Sequence, residues 1–281
     1  MAAPVFCGKV DSASEFRNIL IFLKGRQMRL VRALGIAISA YSVIPVPRFD
    51  WSDENMRFSL CFLPVVGVIE GLLLFSWGLF CGCMDTGIVL FASGATLIPI
   101  LLTGGIHLDG YCDCVDALSS RRDREKMLEI LKDPHIGAFA AIFCAAYLLA
   151  VFGLYSELGR APLLAAVCCG FVLSRALAVL SAIYIPCARS SGFLVSFTMT
   201  AHKKTAVISM SATAILASAA MIFFSPIPGS AGVAFAAVSF FLYRNMAIRK
   251  FGGVTGDTTG YFIQVCELTI LTGVFIGKLT A

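Results

Sequence analysis

The feature that most constrains this chain is the recurrence of long apolar stretches that carry almost no charge. A helix needs about 20 such residues to cross a hydrocarbon core of ~30 Å. Seven stretches approach that length: Phe58 to Cys83, Ile88 to Gly104, Gly137 to Ser156, Ala161 to Ile185, Thr205 to Ser225, Gly229 to Ile248 and Gly260 to Gly277. Gly and Pro inside them argue little against a crossing, because packed neighbours re-satisfy freed backbone groups in membranes. Only 14% of the 281 residues are charged, against roughly 25% in a soluble domain, so lipid is the main solvent for the fold. The expected architecture is all-α: a polytopic membrane helix bundle of about seven transmembrane helices, forming one integral membrane domain over residues 1–281.

A formal net charge of +5 would suggest nucleic acid as the partner of a soluble protein. In a membrane chain the placement of Lys and Arg sets orientation instead, and the expected surroundings are a lipid bilayer with no nucleic acid. With the segment before Phe58 inside, 19 of the 22 Lys and Arg fall on that side: before residue 58, in 106–136, in 186–204 and in 244–250. Arg160 and Lys278 fall opposite, and Arg175 lies within a span. Reading Ala33 to Pro47 as an eighth span would put Lys9, Arg17, Lys24, Arg26, Arg29 and Arg32 outside. That stretch is short, ends in Pro45 and Pro47, and follows a basic segment suited to an anionic inner leaflet. Residues 1–57 therefore read as a basic N-terminal segment with an interfacial or re-entrant element. The first 30 residues show no cleavable signal-peptide pattern. The eleven cysteines lie mostly inside apolar runs, where Cys is a small hydrophobe. Cys81-Gly-Cys83 and Cys112-Asp-Cys114 are spaced more tightly than structural zinc ligands.

Residues 106–136, read as an aspartate-rich catalytic loop on the cytoplasmic face of a cell (inner) membrane, carry seven of the 17 acidic residues. Asp109, Asp113 and Asp116 are spaced by four and three, which puts them within an arc of roughly 60° on one helix face. Three like charges on one face repel, and the arrangement asks for a cation. Mg²⁺ takes one or two protein carboxylates, keeps waters and fills its shell with substrate phosphate oxygens, so the pattern predicts a metal site for a phosphorylated substrate. A solvated acidic helix face is the competing reading. Downstream, Ser120-x-x-Asp123 reads as a capping box, which makes Asp123 structural. Arg121, Arg122 and Arg124 suit phosphate oxygens and equally suit an inside loop. Asp133 precedes Pro134, a step that ends helices. His107 and His135 each suit a proton-transfer or phosphate-binding role, or simple hydrogen bonding.

Near the C-terminus, Gly252-Gly253-Val-Thr255-Gly256-Asp257-Thr-Thr-Gly260 opens the last span. Its glycines permit close backbone approach to a ligand, and amides at a helix start favour anions; a plain turn between spans is the alternative. Asp257, and Glu267 inside the span, call for a polar cavity or a partner, with Arg175 as the basic candidate. Glu70 is a similar intramembrane acid with nothing near it in sequence that suggests chemistry.

These residues carry a resemblance to cobalamin synthase, the membrane-bound adenosylcobinamide-GDP ribazoletransferase family, that runs nearly end to end. The matching positions are Thr103, Gly104, Gly105, His107, Leu108, Asp109, Gly110, Asp113 and Asp116, then Arg122, Asp123, Arg124, Met127, Asp133 and Gly137. Gly252, Gly253, Thr255, Gly256, Asp257 and Gly260 match a second element, and Pro45-Val-Pro47, Pro64-x-x-Gly67 and Ser174-Arg175 are also similar. Departures fall at Ala117, Gln264 and Val43. The resemblance implies a transferase that joins adenosylcobinamide-GDP to α-ribazole or α-ribazole 5′-phosphate, giving adenosylcobalamin or its 5′-phosphate and GMP, with Mg²⁺ as cofactor. It implies Asp109, Asp113 and Asp116 as metal ligands, Asp133 or His107 as the base, and Arg122, Arg124, Gly253, Thr255, Gly256, Asp257, Arg175 and Glu267 as the substrate side of the site.

Two other functions compete. A CDP-alcohol phosphotransferase also uses spaced aspartates but requires Asp-Gly-x-x-Ala-Arg, whereas Asp116 is followed by Ala117-Leu-Ser-Ser-Arg121. A cation-coupled transporter would put its key acids near the bilayer midplane, where Glu70, Arg175 and Glu267 are available but the densest acidic group is not.

Overall fold

A computed structural model describes residues 28–159 and 163–281, and helices account for most of them. A helix at 28–41 (α1), the short α2 (Asp53–Met56) and a 3₁₀ turn, Ser59–Phe62, lead into α3 (Leu63–Cys83). There follow α4 (Ile88–Thr103), α5 (Ile106–Ser119), α6 (Arg124–Ile130), α7 (Ala138–Leu158) and α8 (Leu163–Tyr184). The chain closes with α9 (Phe193–Thr200), α10 (Lys203–Phe224), α11 (Pro226–Met246), a π-helical turn at Ala247–Phe251 and α12 (Gly256–Thr280). Among the described residues, α3, α7, α8, α10, α11 and α12 are each long and apolar enough to cross a membrane, and α4 with α5 makes a bent seventh. The all-α polytopic membrane bundle expected from the sequence is the fold found.

The local reasons are visible in the sequence. Pro64 and Pro226 stand in the first turns of α3 and α11, where a missing N–H costs nothing. Starting at Pro226 rather than Gly229 gives α11 its 21 residues, so Arg244 arrives only in its last turn. Thr255 and Thr258 form a reciprocal cap that starts α12. The outer faces are apolar as lipid requires: Leu149 is 71% exposed, Phe223 81% and Leu242 66%. Inside, α8 packs against α3, α10 and α12, while α12 packs against α11 and α5.

The alternation of spans collects the polar connections at one end. The Val43 N–H donates to Leu102 O at 2.9 Å, which ties the exit of α1 to the end of α4. His202 N–H reaches Arg57 O at 3.0 Å, and the 186–188 strand of chain bonds to Val254. The opposite end holds the contact of Lys278 with Glu157 O. Among the described residues α1 is not one of the helices long and apolar enough to cross a membrane. Lys9, Arg17, Lys24 and Arg26 lie outside the described residues, as do Arg160 and the first residues of the span placed at Ala161.

Two local readings change. Residues 106–136 are not a loop but two helices, α5 and α6, and α5 turns 93° away from α4. Gly104 and Gly105, at φ 63° and 79°, make that corner, in a region that other residues enter only with strain. The cap of α6 is Asp123 itself, whose carboxylate accepts from the Lys126 N–H at 2.9 Å. Ser120 instead accepts from Arg122 N–H and donates to Ala117 O. Arg121, at φ 52°, takes the left-handed turn that ends α5, and this separates Ser120 from the helix it was expected to start.

Candidate active site

The site is assembled where α5 lies across the start of α12. A Cβ at Gly110 would stand 2.7 Å from Asp257 O, and one at Gly260 would stand 3.2 Å from His107 O. Two helices meet this closely only where side chains are absent, so the glycines of the two motifs are what bring Asp257 to the aspartate face. Asp113 consequently sits in the field of Asp109, Asp257 and Asp116, with Arg189 the cation that offsets them. Asp257 pairs with Arg189 at 3.6 Å and accepts from the Thr255 hydroxyl at 3.4 Å.

Arg189 is the residue that sequence reasoning passed over, as one of several inside-face charges. Its Nη2 donates to Leu128 O at 2.9 Å, its other guanidinium nitrogen faces Asp257, and its Nε is buried without a partner. The glycine-rich turn holds it there. Val254 N–H donates to Pro186 O at 2.8 Å and Ala188 N–H to Val254 O at 2.9 Å, a parallel bridge that locks the 186–189 segment onto 252–254. Gly253 makes this possible, since a Cβ there would stand 2.1 Å from Pro186 O. The available signal was a lone Arg between a span end and Ser190-Ser191-Gly192, too weak to separate from orientation charges.

The three spaced aspartates share a helix but differ in their hydrogen bonds. Asp116 accepts from Gly137 N–H at 2.6 Å and from Ala140 N–H at 2.8 Å, so its carboxylate caps the start of α7 and complements that helix's positive end. Asp109 and Asp113, one helical turn apart, carry no such bonds among the described residues. Among the described residues no three His, Cys, Asp or Glu side chains converge tightly enough to hold one ion alone. Mg²⁺ does not ask for that: one or two carboxylates, waters and phosphate oxygens complete its shell. Asp109 and Asp113, hard oxygen donors crowded by like charge, fit that demand.

The remaining predicted residues divide. Arg124 lies over Gly252, where a Cβ would meet its guanidinium at 2.7 Å, so it belongs to the glycine-rich side. Arg122 is exposed at the corner between α5 and α6. Asp133 is occupied by His135, accepting from its N–H at 3.0 Å and meeting its Nδ1 at 2.7 Å, and those bonds hold its carboxyl below the ordinary range. His107 is 3% exposed, stacks beside Tyr41, and has an Nε2 without a partner. Thr255 and Gly256 start α12. Arg175 and Glu267 are elsewhere, in the interior: Arg175 Nη1 donates to Glu267 at 2.5 Å, and Nη2 to Glu70. Glu70, which had no evident neighbour in sequence, thus has its partner across 105 residues. Gln264, one of the departures from the resemblance, lines a small cavity with Glu267.

The cobalamin-5-phosphate synthase family model matches residues 33–275. An adenosylcobinamide-GDP ribazoletransferase of Lachnoclostridium phytofermentans is 40% identical over 252 residues, 89% of this chain and 96% of that protein. One from Desulfitobacterium hafniense is 33% identical over 258 residues, 88% and 98% of the two chains. One from Clostridium perfringens is 30% identical over 254 residues, 85% and 95%. No solved structure matches. On a match that spans nearly all of its length and includes both glycine-aspartate elements, the chain belongs to the cobalamin-5-phosphate synthase family.

Proposed function

We propose that this chain is an adenosylcobinamide-GDP ribazoletransferase. It joins adenosylcobinamide-GDP to α-ribazole or α-ribazole 5′-phosphate, giving adenosylcobalamin or its 5′-phosphate and releasing GMP. Family membership supports the reaction, and the observation that carries the mechanism is the meeting of Asp109, Asp113 and Asp257 across the Gly110–Gly260 crossing.

A ribose hydroxyl oxygen attacks the phosphorus on the cobinamide side, the bond from that phosphorus to the oxygen of GMP breaks, and the hydroxyl proton passes to Asp257. Asp257 suits this because it stands both in the carboxylate cluster and in the wall of the adjoining cavity. Asp109 and Asp113 would hold Mg²⁺, which when bound would supply positive charge to offset that gathering on the leaving group. Arg189 and Arg124 grip phosphate oxygens as planar forks, one from each side of the glycine-rich turn, while Arg122 attracts the substrate from the exposed rim. Asp116 keeps α7 against α5 and so fixes the aspartate face. Asp133, occupied by His135, stays outside the proton path. The end bearing the cluster faces the cytoplasm of the cell (inner) membrane, in line with 19 of 22 Lys and Arg on that side.

The test is purified protein with adenosylcobinamide-GDP and α-ribazole. Stoichiometric GMP and cobalamin in Mg²⁺, and neither in EDTA, is the expected result. Intact substrates in the presence of Mg²⁺ would refute the assignment.

A further inference from the structure

Beside the set formed by Glu70, Arg175 and Glu267, a cavity of about 30 Å³ lies between α4, α7, α8 and α12. A single water needs roughly 10–15 Å³, so the space takes one small ion and a water. Its polar lining is Thr96, Tyr147, Tyr155, Gln264 and Glu267, and the rest is apolar. Glu267 uses only one oxygen on its neighbours: Oε1 accepts from Arg175 Nη1 at 2.5 Å and from the Ser174 hydroxyl at 3.1 Å. Glu267 Oε2, the Gln264 amide and the Tyr147 hydroxyl have no hydrogen bond among the described residues, and all three side chains line the cavity. They are nonetheless buried, Gln264 at 6% exposure, Tyr147 at 8% and the Glu267 side chain at 9%. Buried polar groups of a native fold find a partner, so three of them around one small space point to a ligand there.

We propose that this cavity binds one sodium ion, held by Glu267 Oε2, the Gln264 side-chain oxygen and the Tyr147 hydroxyl oxygen, with Thr96 or a water completing the shell. Charge selects the ion. Glu70 and Glu267 share a single guanidinium, so two acids and one base leave one negative charge uncompensated inside the bundle, where a lone charge is least tolerated. A monovalent cation brings the set to neutrality. A divalent one would leave it positive, and Mg²⁺ in particular sheds its waters reluctantly. The geometry keeps the two cations apart, because Arg175 is bonded to Oε1 and the cavity donors are left with Oε2. Tyr147 on α7 lies in the field of Glu267, and Thr96 brings α4 to the same space, its hydroxyl donating to Ala92 O at 2.8 Å and keeping its oxygen lone pairs. Arg175 thus fastens Glu267 to α8 and α3, and the ion fastens it to α7 and α4. The role is structural, and it stands apart from the reaction proposed above.

The experiment is thermal melting of the full chain in detergent, at constant ionic strength, in the chlorides of sodium, potassium or N-methylglucamine. Sodium at about 300 mM should raise the melting temperature by about 3–5 °C over N-methylglucamine and the rise should saturate, as for an ion that binds only the folded state. Potassium, a larger ion, should give less than half of that rise. Tyr147→Phe and Gln264→Leu each remove one donor at nearly constant volume, and each should still melt cooperatively while losing most of the sodium shift. Gln264→Glu, which places a charged oxygen at the same point, should keep or enlarge it. Asp113→Asn, at the outer carboxylates, should leave it unchanged, which separates this cavity from the aspartate face as the source of the effect. Equal melting temperatures in the three salts overturn the proposal and give the cavity to water or a proton. A sodium shift that survives in both Tyr147→Phe and Gln264→Leu, or that vanishes in Asp113→Asn, also overturns it.

Discussion

The molecule contains two acidic clusters, and they are built to opposite rules. In the interior, Glu70 and Glu267 share Arg175, which is fully buried and bonded on both sides, with Ser174 completing the set. At the end of the bundle, Asp257 on α12 lies near the Asp109 and Asp113 face of α5 across a helix crossing, with the largely buried Arg189 as counter-charge. The interior cluster joins α3, α8 and α12 through two ion pairs on one guanidinium, with Glu70 Oε1 and Arg175 Nε buried without a hydrogen bond among the described residues. Such a set holds helices together, since every acid in lipid needs a partner. The outer cluster leaves carboxylates crowded and open, which is unfavourable without a ligand. Opposite charges paired in the interior hold helices together; like charges crowded at a surface are where binding belongs. The difference also weighs against a transporter, because both interior acids are already paired with Arg175.

Substitutions sharpen this contrast. The largest effect expected is on turnover: Asp113→Asn should lower it by about a thousandfold or more, roughly 4 kcal/mol of barrier, with the thermal midpoint in detergent unchanged. A stable but fully active variant would break the distinction from the outer side. Arg175→Met should do the reverse, costing about 3–5 kcal/mol of stability by leaving two buried acids unpartnered. Adding Glu70→Gln and Glu267→Gln to it should restore most of the melting temperature. If the triple variant stays as unstable as the single one, the ion pairs of Arg175 are not what the interior set contributes. Asp116→Ala should cost about 1–2 kcal/mol through loss of the α7 cap, and any fall in turnover should follow the loss of folded protein. Asp123→Ala removes an exposed cap from the seven-residue α6. It should shift stability by about 1 kcal/mol or less and leave turnover near that of the unsubstituted chain.

What was legible in sequence followed from local pattern. The spans were readable because a hydrocarbon core demands continuous apolar length, and their true ends moved by only a few residues, as at Pro226. The common face of Asp109, Asp113 and Asp116 was readable because it depends only on helix period. Their separate uses were not. That Asp116 meets Gly137 and Ala140 depends on α7 arriving beside α5, and no spacing rule encodes that. The pairing of Glu70 with Arg175 and the placement of Arg189 are long-range in the same way. The capping box at Ser120 failed for a local reason, the left-handed turn at Arg121. The glycine elements were recognisable as motifs, but their purpose, letting α5 and α12 touch and letting 253 pass under Pro186, needed the packing.

The most direct measurement is the dissociation constant of adenosylcobinamide-GDP, taken calorimetrically in Mg²⁺ and in EDTA, for the unsubstituted chain and for Asp109→Asn and Asp113→Asn. If the open carboxylates hold a metal that the substrate's pyrophosphate completes, Mg²⁺ should tighten nucleotide binding at least about tenfold, and each substitution should remove most of that gain. By linkage the nucleotide should tighten Mg²⁺ by the same factor. Equal affinity in Mg²⁺ and in EDTA for the unsubstituted chain would contradict a shared site at Asp109 and Asp113.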